Sequence, residues 1–190
     1  MTIKGVLVVL ITAAILQGCV TAAVVGIAGG ASVVTDNRSL GNQIDDQNIE
    51  LNAHAKLSQN DGISENTNLQ VISINGAVLV IGQAPNNFLR DQAIKLINEV
   101  KEVKKLHNQI RIADPVGFST KTNDLWLTSK VKAALFANDK ISANNIKVVT
   151  ENGEVFLMGL VEKNQADIAV DIARNISGVK KVFKIFEYIK

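Results

Sequence analysis

The chain has 190 residues, of which 47% are hydrophobic, 4% aromatic and 20% charged. This is the composition of a folded protein and excludes wholesale disorder. The formal net charge of +2 is too balanced for a nucleic-acid binder that works through a dense basic patch, and a single cysteine excludes both an intramolecular disulfide and a multi-cysteine metal site.

The amino terminus has the pattern of an export signal. Lys4 precedes an apolar run, residues 6–16, that fits the hydrophobic region of a signal peptide and is too short for a membrane-spanning helix. The next motif, Leu16-Gln17-Gly18-Cys19, resembles a lipobox, although a residue smaller than glutamine is commoner at its second position. The resemblance implies that residues 1–18 are a lipoprotein signal peptide and that Cys19 is acylated. The alternative is an uncleaved anchor with a buried, inert Cys19.

Residues 19–44 are predicted to form a lipidated tether. One acyl chain holds a protein only weakly, whereas the lipobox resemblance implies three chains and a stable attachment. Val20 follows the cysteine where lipoproteins retained in the inner membrane typically carry aspartate. We therefore expect an outer-membrane protein whose folded part faces the periplasm. Residues 20–34 are apolar and rich in glycine and alanine, and we expect them to lie along the membrane rather than cross it.

The rest of the chain contains one unit twice. Residues 75–82, NGAVLVIG, align with residues 152–159, NGEVFLMG, and apolar residues of matching spacing extend the alignment on both sides. Such an internal repeat indicates two copies of one structural unit. We expect domains at 45–114 and 124–190, joined by a linker at 115–123.

Each unit predicts the order αββαβ. Apolar residues at i, i+4 and i+8 predict a first helix, and the Asn-Gly pair predicts a type I′ hairpin turn. A second helix and a last strand follow, so a three-stranded mixed sheet should bury one face under two helices in an α+β fold. The predicted elements are 47–58, 69–74, 78–81, 87–99 and 106–112 in the first unit and 125–137, 146–150, 155–158, 163–176 and 182–189 in the second. The candidate helix caps are Asp45 or Asp46 and Asn123 or Asp124.

The αββαβ unit with its N-G-x-V-x-L-x-G hairpin resembles the BON domain family. Two such units behind a lipobox are similar to the dual BON-domain lipoproteins of the outer membrane, and the stretches 35–46 and 151–161 share the similarity. The resemblance implies a periplasmic protein that binds anionic phospholipid through its second BON domain. It further implies a role in outer-membrane integrity and a concentration at division sites.

No arrangement of residues typical of catalysis is found in the sequence. His54 and His107 each lack a second histidine nearby, and no nucleophile signature is present. The glycine cluster 26–30 lacks both the preceding strand and the following lysine of a phosphate loop. We therefore expect no enzymatic activity, no cofactor, no metal site and no nucleic-acid partner.

The first helix of the second unit carries the candidate lipid-binding surface. Leu127, Val131 and Leu135 form its core stripe, and the chain's one tryptophan lies off that stripe. A second apolar stripe flanked by lysines is typical of a surface at a membrane interface. The second unit also has more basic than acidic residues, which suits an anionic membrane. The candidate lipid-binding residues are Trp126, Ser129, Lys130, Lys132, Ala133 and Phe136.

Two alternatives to this interpretation stay open. In the first, Trp126 and Phe136 pack between the two units instead of facing a membrane. In the second, the same apolar patch binds another envelope protein, such as an outer-membrane assembly component or a peptidoglycan-remodelling protein. The chain would then be a protein adaptor.

Overall fold

The computed structural model describes residues 39–189. The described residues belong to one compact unit, and its three hydrophobic clusters are built from them. This unit therefore contains its own cores. The expected signal peptide, the lipidation site Cys19 and the apolar segment 20–34 lie outside the described residues.

Both repeats fold in the predicted order, with one additional short helix in the first. The first repeat contains α1 (Leu40–Ser58), α2 (Asp61–Asn66), β1 (Asn68–Ile74), β2 (Ala77–Ala84), α3 (Asn87–Asn98) and β3 (Lys105–Ile112). The second contains α4 (Phe118–Phe136), a 3₁₀ turn (Ala143–Asn145), β4 (Ile146–Glu151), β5 (Glu154–Val161), α5 (Lys163–Arg174) and β6 (Lys181–Tyr188). In each sheet the hairpin is antiparallel and the last strand lies parallel to the middle one. The predicted α+β fold with three-stranded mixed sheets is confirmed.

The first helix of each repeat is longer than predicted. Helix α1 begins at Leu40 and α4 at Phe118, so residues 40–44 of the expected tether and 118–123 of the expected linker are helical. Most side chains in these additional turns are exposed. The apolar periodicity that predicts a helix comes from turns that contact the sheet, and the exposed turns lack it.

The helix caps also differ from the prediction. The hydroxyl of Ser39 accepts the backbone N–H of Asn42 at 3.1 Å and caps α1, while Gly117 stands at the start of α4 without a side-chain cap. The residues proposed as caps lie more than one turn inside the two helices. They are Asp45 or Asp46 in α1 and Asn123 or Asp124 in α4.

Instead of capping a helix, Asp46 and Asp124 each hold a hairpin turn. Asp124 accepts the backbone N–H groups of Asn152 and Gly153 at 2.7 and 2.8 Å. Asp46 makes the same pair of bonds to the first hairpin turn, at 2.8 and 2.9 Å. Both aspartates are buried, and a buried carboxylate is tolerated when donors surround it. Each turn is thereby fixed to the first helix of its repeat.

The hairpin motif has two backbone requirements. Asn75 and Asn152 have φ angles of 53° and 50°, as the predicted type I′ turns need. The last glycine of the motif, Gly82 or Gly159, also has a positive φ, and a Cβ atom there would lie 1.9 Å from a backbone carbonyl oxygen at the start of the neighbouring strand. A larger residue at this position would push the strands apart.

Each sheet is buried on both of its faces. One face packs under the helices of its own repeat and forms a separate core. The opposite faces of the two sheets pack on each other, which gives four layers in the order helix, sheet, sheet, helix. Within this interface Phe156 stacks on Phe183 with ring centroids 4.8 Å apart. The buried residues of this shared core are Ile72, Ile74, Leu79, Ile81, Val149, Phe156 and Met158.

Polar contacts between the repeats surround the shared core. Three of the four contacts are exposed and contribute little to stability because water competes for both partners, whereas the bond between Gln83 and Glu151 is partly buried. The apolar interface is therefore the main attraction between the repeats. The contacts are Arg111 with Glu154 at 2.7 Å, Asn75 with Glu187 at 2.7 Å, Lys121 with Asn68 at 3.0 Å, and Gln83 with Glu151.

Replacing Asp124 by asparagine should destabilise the protein. The amide keeps one acceptor oxygen but turns an NH₂ group toward a backbone N–H, so one donor of the turn loses its partner. Because hydrogen bonds to a charged group contribute about 1.5–3 kcal/mol, we expect the free energy of unfolding, measured in urea, to fall by about 2 kcal/mol. Asp45→Asn, at an exposed position, is the control and should change it by less than about 0.5 kcal/mol. Equal stabilities of the two variants would contradict the role of Asp124.

Candidate functional site

One side of helix α4 faces away from the protein. Its core stripe, Leu127, Val131 and Leu135, is buried as predicted. On a helix with 3.6 residues per turn, Trp126 and Phe136 fall on the opposite side, where they are 56% and 60% exposed. The alternative in which these two aromatic residues pack between the repeats is therefore wrong, because the facing sheets fill that interface.

Two exposed apolar residues on the same side of α4 were missed by the sequence prediction. Phe118 is 85% exposed and Leu125 is 71% exposed. Phe118 falls in the predicted linker because the helix is predicted to begin at 125, and one isolated apolar residue gives no periodic signal. Leu125 adjoins Trp126 off the core stripe, which is the signal that could have revealed it. We call Phe118, Leu125, Trp126, Ala133 and Phe136 the apolar stripe. It follows the 19 residues of α4, a length of about 28 Å.

Two of the predicted lipid-binding residues make contacts within the protein. The ammonium group of Lys130 lies 4.2 Å from the ring centroid of Trp126, a cation–π contact that favours one orientation of the indole. It also donates to the carbonyl oxygen of Ser177 at 3.4 Å. The hydroxyl of Ser129 donates to the carbonyl oxygen of Leu125 at 3.0 Å. Lys130 and Ser129 therefore make their contacts within the protein, Lys130 with the indole of Trp126 and Ser129 with the backbone of α4.

Lys132 lies beside the apolar stripe and is exposed. It lines a cleft of about 520 Å³ formed by α4, β4 and the beginning of β1. We call this the lateral cleft. Its wall consists of Asn68, Leu69, Gln70, Lys121, Asp124, Leu125, Thr128, Lys132 and residues 147–151.

Glu151 lies at one end of the lateral cleft. Burial raises the pKa of its carboxyl group above the usual value, and the charge of Asp124 acts in the same direction. The hydrogen bond from Gln83 and the charge of Lys121 act against this shift. Since burial is the largest of these effects, the net shift of the Glu151 pKa is upward.

The equivalent side of α1 in the first repeat is less apolar. Asn48 and Ser58 stand where the second repeat has Trp126 and Phe136, so α1 has no exposed aromatic residue at these positions. Leucine and isoleucine side chains are exposed elsewhere on α1, at Leu40, Ile44 and Leu51. The two repeats share a fold but not a surface.

Within residues 39–189, no cluster of three or more histidine, cysteine, aspartate or glutamate side chains is arranged to hold a metal ion. In the same part of the chain, no helix combines the length and the apolar character needed to cross a membrane. His54 lies on α1 and His107 on β3. Burial, helped by Lys105, lowers the pKa of His107.

The BON domain family model matches the chain twice, at residues 45–114 and 123–187. The chain is 41% identical to the outer membrane lipoprotein DolP of Haemophilus influenzae over 92% of its own length and 90% of that protein. It is 39% identical to the 21 kDa hemolysin of Actinobacillus pleuropneumoniae, with coverages of 82% and 80%. It is also 29% identical to the osmotically-inducible protein Y of Escherichia coli, with coverages of 94% and 92%.

Replacing Glu151 by glutamine should remove a pH-dependent loss of stability. A carboxyl group with a raised pKa in the folded state favours folding below its usual pKa of 4.5, and this contribution is lost as the pH rises through the folded-state pKa. Glutamine is neutral throughout and still offers Gln83 an acceptor oxygen. The melting temperature of the variant should therefore fall less than that of the wild type as the pH rises from about 4 to 8. Glu162→Gln, at an exposed position, is the control, and parallel profiles for wild type and Glu151→Gln would contradict the expectation.

Proposed function

Because this chain belongs to the BON domain family, as an outer-membrane lipoprotein with two such domains, we propose that its second domain binds anionic phospholipid on the periplasmic face of that membrane. Cys19 carries the lipid anchor in this proposal, and the apolar stripe of α4 enters the membrane interface. The proposal includes a role in outer-membrane integrity, exercised at division sites. These lipoproteins are in general not enzymes, and the role proposed is one of binding.

The apolar stripe is the observation that carries this proposal. Contiguous exposed apolar residues on a folded protein mark a surface that contacts a partner or a membrane. Tryptophan and phenylalanine favour the boundary between lipid headgroups and acyl chains. Burying one large side chain contributes about 1.5–3 kcal/mol. The stripe has four such side chains, and the entropic cost of association offsets part of their contribution, so the contact is weak and reversible.

The lipid anchor makes a weak contact sufficient. A domain tethered at Cys19 stays close to the bilayer, and its effective concentration there is set by the length of the tether rather than by its abundance in the periplasm. Attachment and surface contact are therefore separate functions in this proposal. Cys19 keeps the protein at the membrane, and α4 orients the second domain on the lipid.

Replacing Trp126 by glutamate should abolish binding of residues 35–190 to anionic vesicles. The change places a charge in the middle of the apolar stripe, and the fold should persist because the side chain is exposed. Flotation with vesicles measures binding, and circular dichroism checks the fold. Phe88→Glu, at an exposed apolar position on α3 of the first repeat, is the matched control and should float like the wild type. If folded Trp126→Glu floats as well as the wild type, the lipid proposal is contradicted. The adaptor, in which the stripe binds another envelope protein, is then favoured.

Replacing Cys19 by alanine should prevent acylation of the full-length protein. The variant should accumulate as an unprocessed precursor or away from the outer membrane, because the lipobox then lacks its acceptor thiol. Labelling with radioactive palmitate followed by membrane fractionation measures both effects. Equal incorporation of palmitate into wild type and variant would show that the anchor lies elsewhere.

A further inference from the structure

The lateral cleft runs along the flank of the apolar stripe. Leu125, a member of the stripe, forms part of its wall. A second cavity of about 210 Å³ continues toward the end of α4 and is lined by Phe136. Lys132 and Lys147 line both cavities, so both lysines lie next to the surface that we propose contacts lipid.

The carboxylates of the lateral cleft already accept hydrogen bonds from other groups. Asp124 accepts two backbone N–H groups of the hairpin turn at 2.7 and 2.8 Å, and Glu151 accepts a hydrogen bond from Gln83. The hydrogen bonds that these two carboxylates accept therefore come from groups other than the lysines of the cleft.

The lysines of the lateral cleft differ in the polar contacts that they make within the protein. Lys121 donates to the side-chain oxygen of Asn68 at 3.0 Å. Among the ion pairs of residues 39–189, none involves Lys132 or Lys147. Two exposed cations thus line a cleft whose carboxylates already accept hydrogen bonds from other groups, and three lysines against two acids make its charge complementary to an anion.

The first repeat lacks this arrangement, which makes it an internal comparison. The position equivalent to Lys132 is His54, and the position equivalent to Lys147 is Gln70. Ser58 replaces Phe136 at the end of the helix. A cationic cleft beside an apolar stripe is therefore a feature of the second repeat and does not follow from the fold.

We propose that the lateral cleft holds the phosphodiester headgroup of an anionic phospholipid, with Lys132 and Lys147 paired to its phosphate oxygens. The inference rests on the proposed lipid binding and adds a headgroup site to it. With the phosphate in the cleft, the acyl chains lie beside Leu125 and Phe136, which places them on the apolar stripe. The stripe provides affinity for any bilayer interface, and the cleft provides the preference for anionic lipid.

The test is flotation of residues 35–190 with phosphatidylcholine vesicles that either contain or lack phosphatidylglycerol. The double variant Lys132→Gln, Lys147→Gln should lose roughly 30-fold in affinity for the anionic vesicles, since each lysine at an anionic surface contributes about fivefold and the two factors multiply. Its weak binding to pure phosphatidylcholine should not change. Lys95→Gln, Lys101→Gln, at two exposed positions of the first repeat, removes the same charge and should keep the preference for anionic vesicles.

A second measurement locates the headgroup. The backbone amides of Thr128 and Lys147 should shift in NMR spectra on addition of monomeric dihexanoyl phosphatidylglycerol, and these shifts should vanish in the Lys132→Gln, Lys147→Gln variant. Inorganic phosphate at the same concentration should leave the amides unmoved. Equal shifts with inorganic phosphate would overturn the assignment to a membrane lipid.

Two flotation outcomes would overturn the headgroup site. The first is an unchanged anionic preference of the Lys132→Gln, Lys147→Gln variant. The second is an equal loss in this variant and in the first-repeat control, which would indicate a general effect of net charge. Either result leaves the proposed function intact if Trp126→Glu abolishes flotation, whereas a wild type that fails to float would overturn both proposals.

Discussion

The packing of one sheet on the other is the constraint on which the rest of the structure depends. A three-stranded sheet covered by two helices on one side leaves its other face to water. In this protein that face is apolar in both repeats, and each sheet covers the other in the shared core. A repeat of this size buries only a modest core by itself, so the shared core supplies contacts that neither repeat has alone. The two BON domains are therefore best regarded as one folding unit.

This arrangement decides which surfaces are free for function. With the sheets in the centre, the helices form the two outer layers, and α4 has one side on the sheet and the other exposed. Asp124 fixes α4 to the hairpin turn of its own repeat, so the exposed side keeps a defined direction. The same geometry holds in the first repeat through Asp46. The outer surfaces of the two repeats differ. The first helix of the second repeat has exposed aromatic residues with lysines beside them, and the first helix of the first repeat has Asn48 and Ser58 at the equivalent aromatic positions.

The sequence was sufficient for the order of elements, the turn type and the core stripe of α4, because periodicity and the Asn-Gly pair are local signals. Four features are not predicted. The outer turns of α4 fall in the predicted linker because an exposed helix has no apolar period. Asp124 is a candidate cap in the sequence, since a contact with a distant turn leaves no local trace. The second buried face of the sheets did leave a signal: residues 78–81 and 155–158 are continuously apolar, a pattern of strands buried on both faces. Lys147 was missed because only the fold brings β4 beside α4.

The most direct test of the shared core uses Trp126 as a reporter of the second repeat. As the one tryptophan of the chain, it follows the unfolding of α4 in urea by fluorescence, while circular dichroism follows the whole protein. Leu79→Ala removes side-chain atoms from the first repeat's part of the shared core, a change that typically costs about 2–5 kcal/mol. The account predicts that the fluorescence and dichroism transitions coincide and that Leu79→Ala moves both to lower urea by the same amount. A fluorescence transition left unchanged by Leu79→Ala would show that the second repeat folds independently of the first.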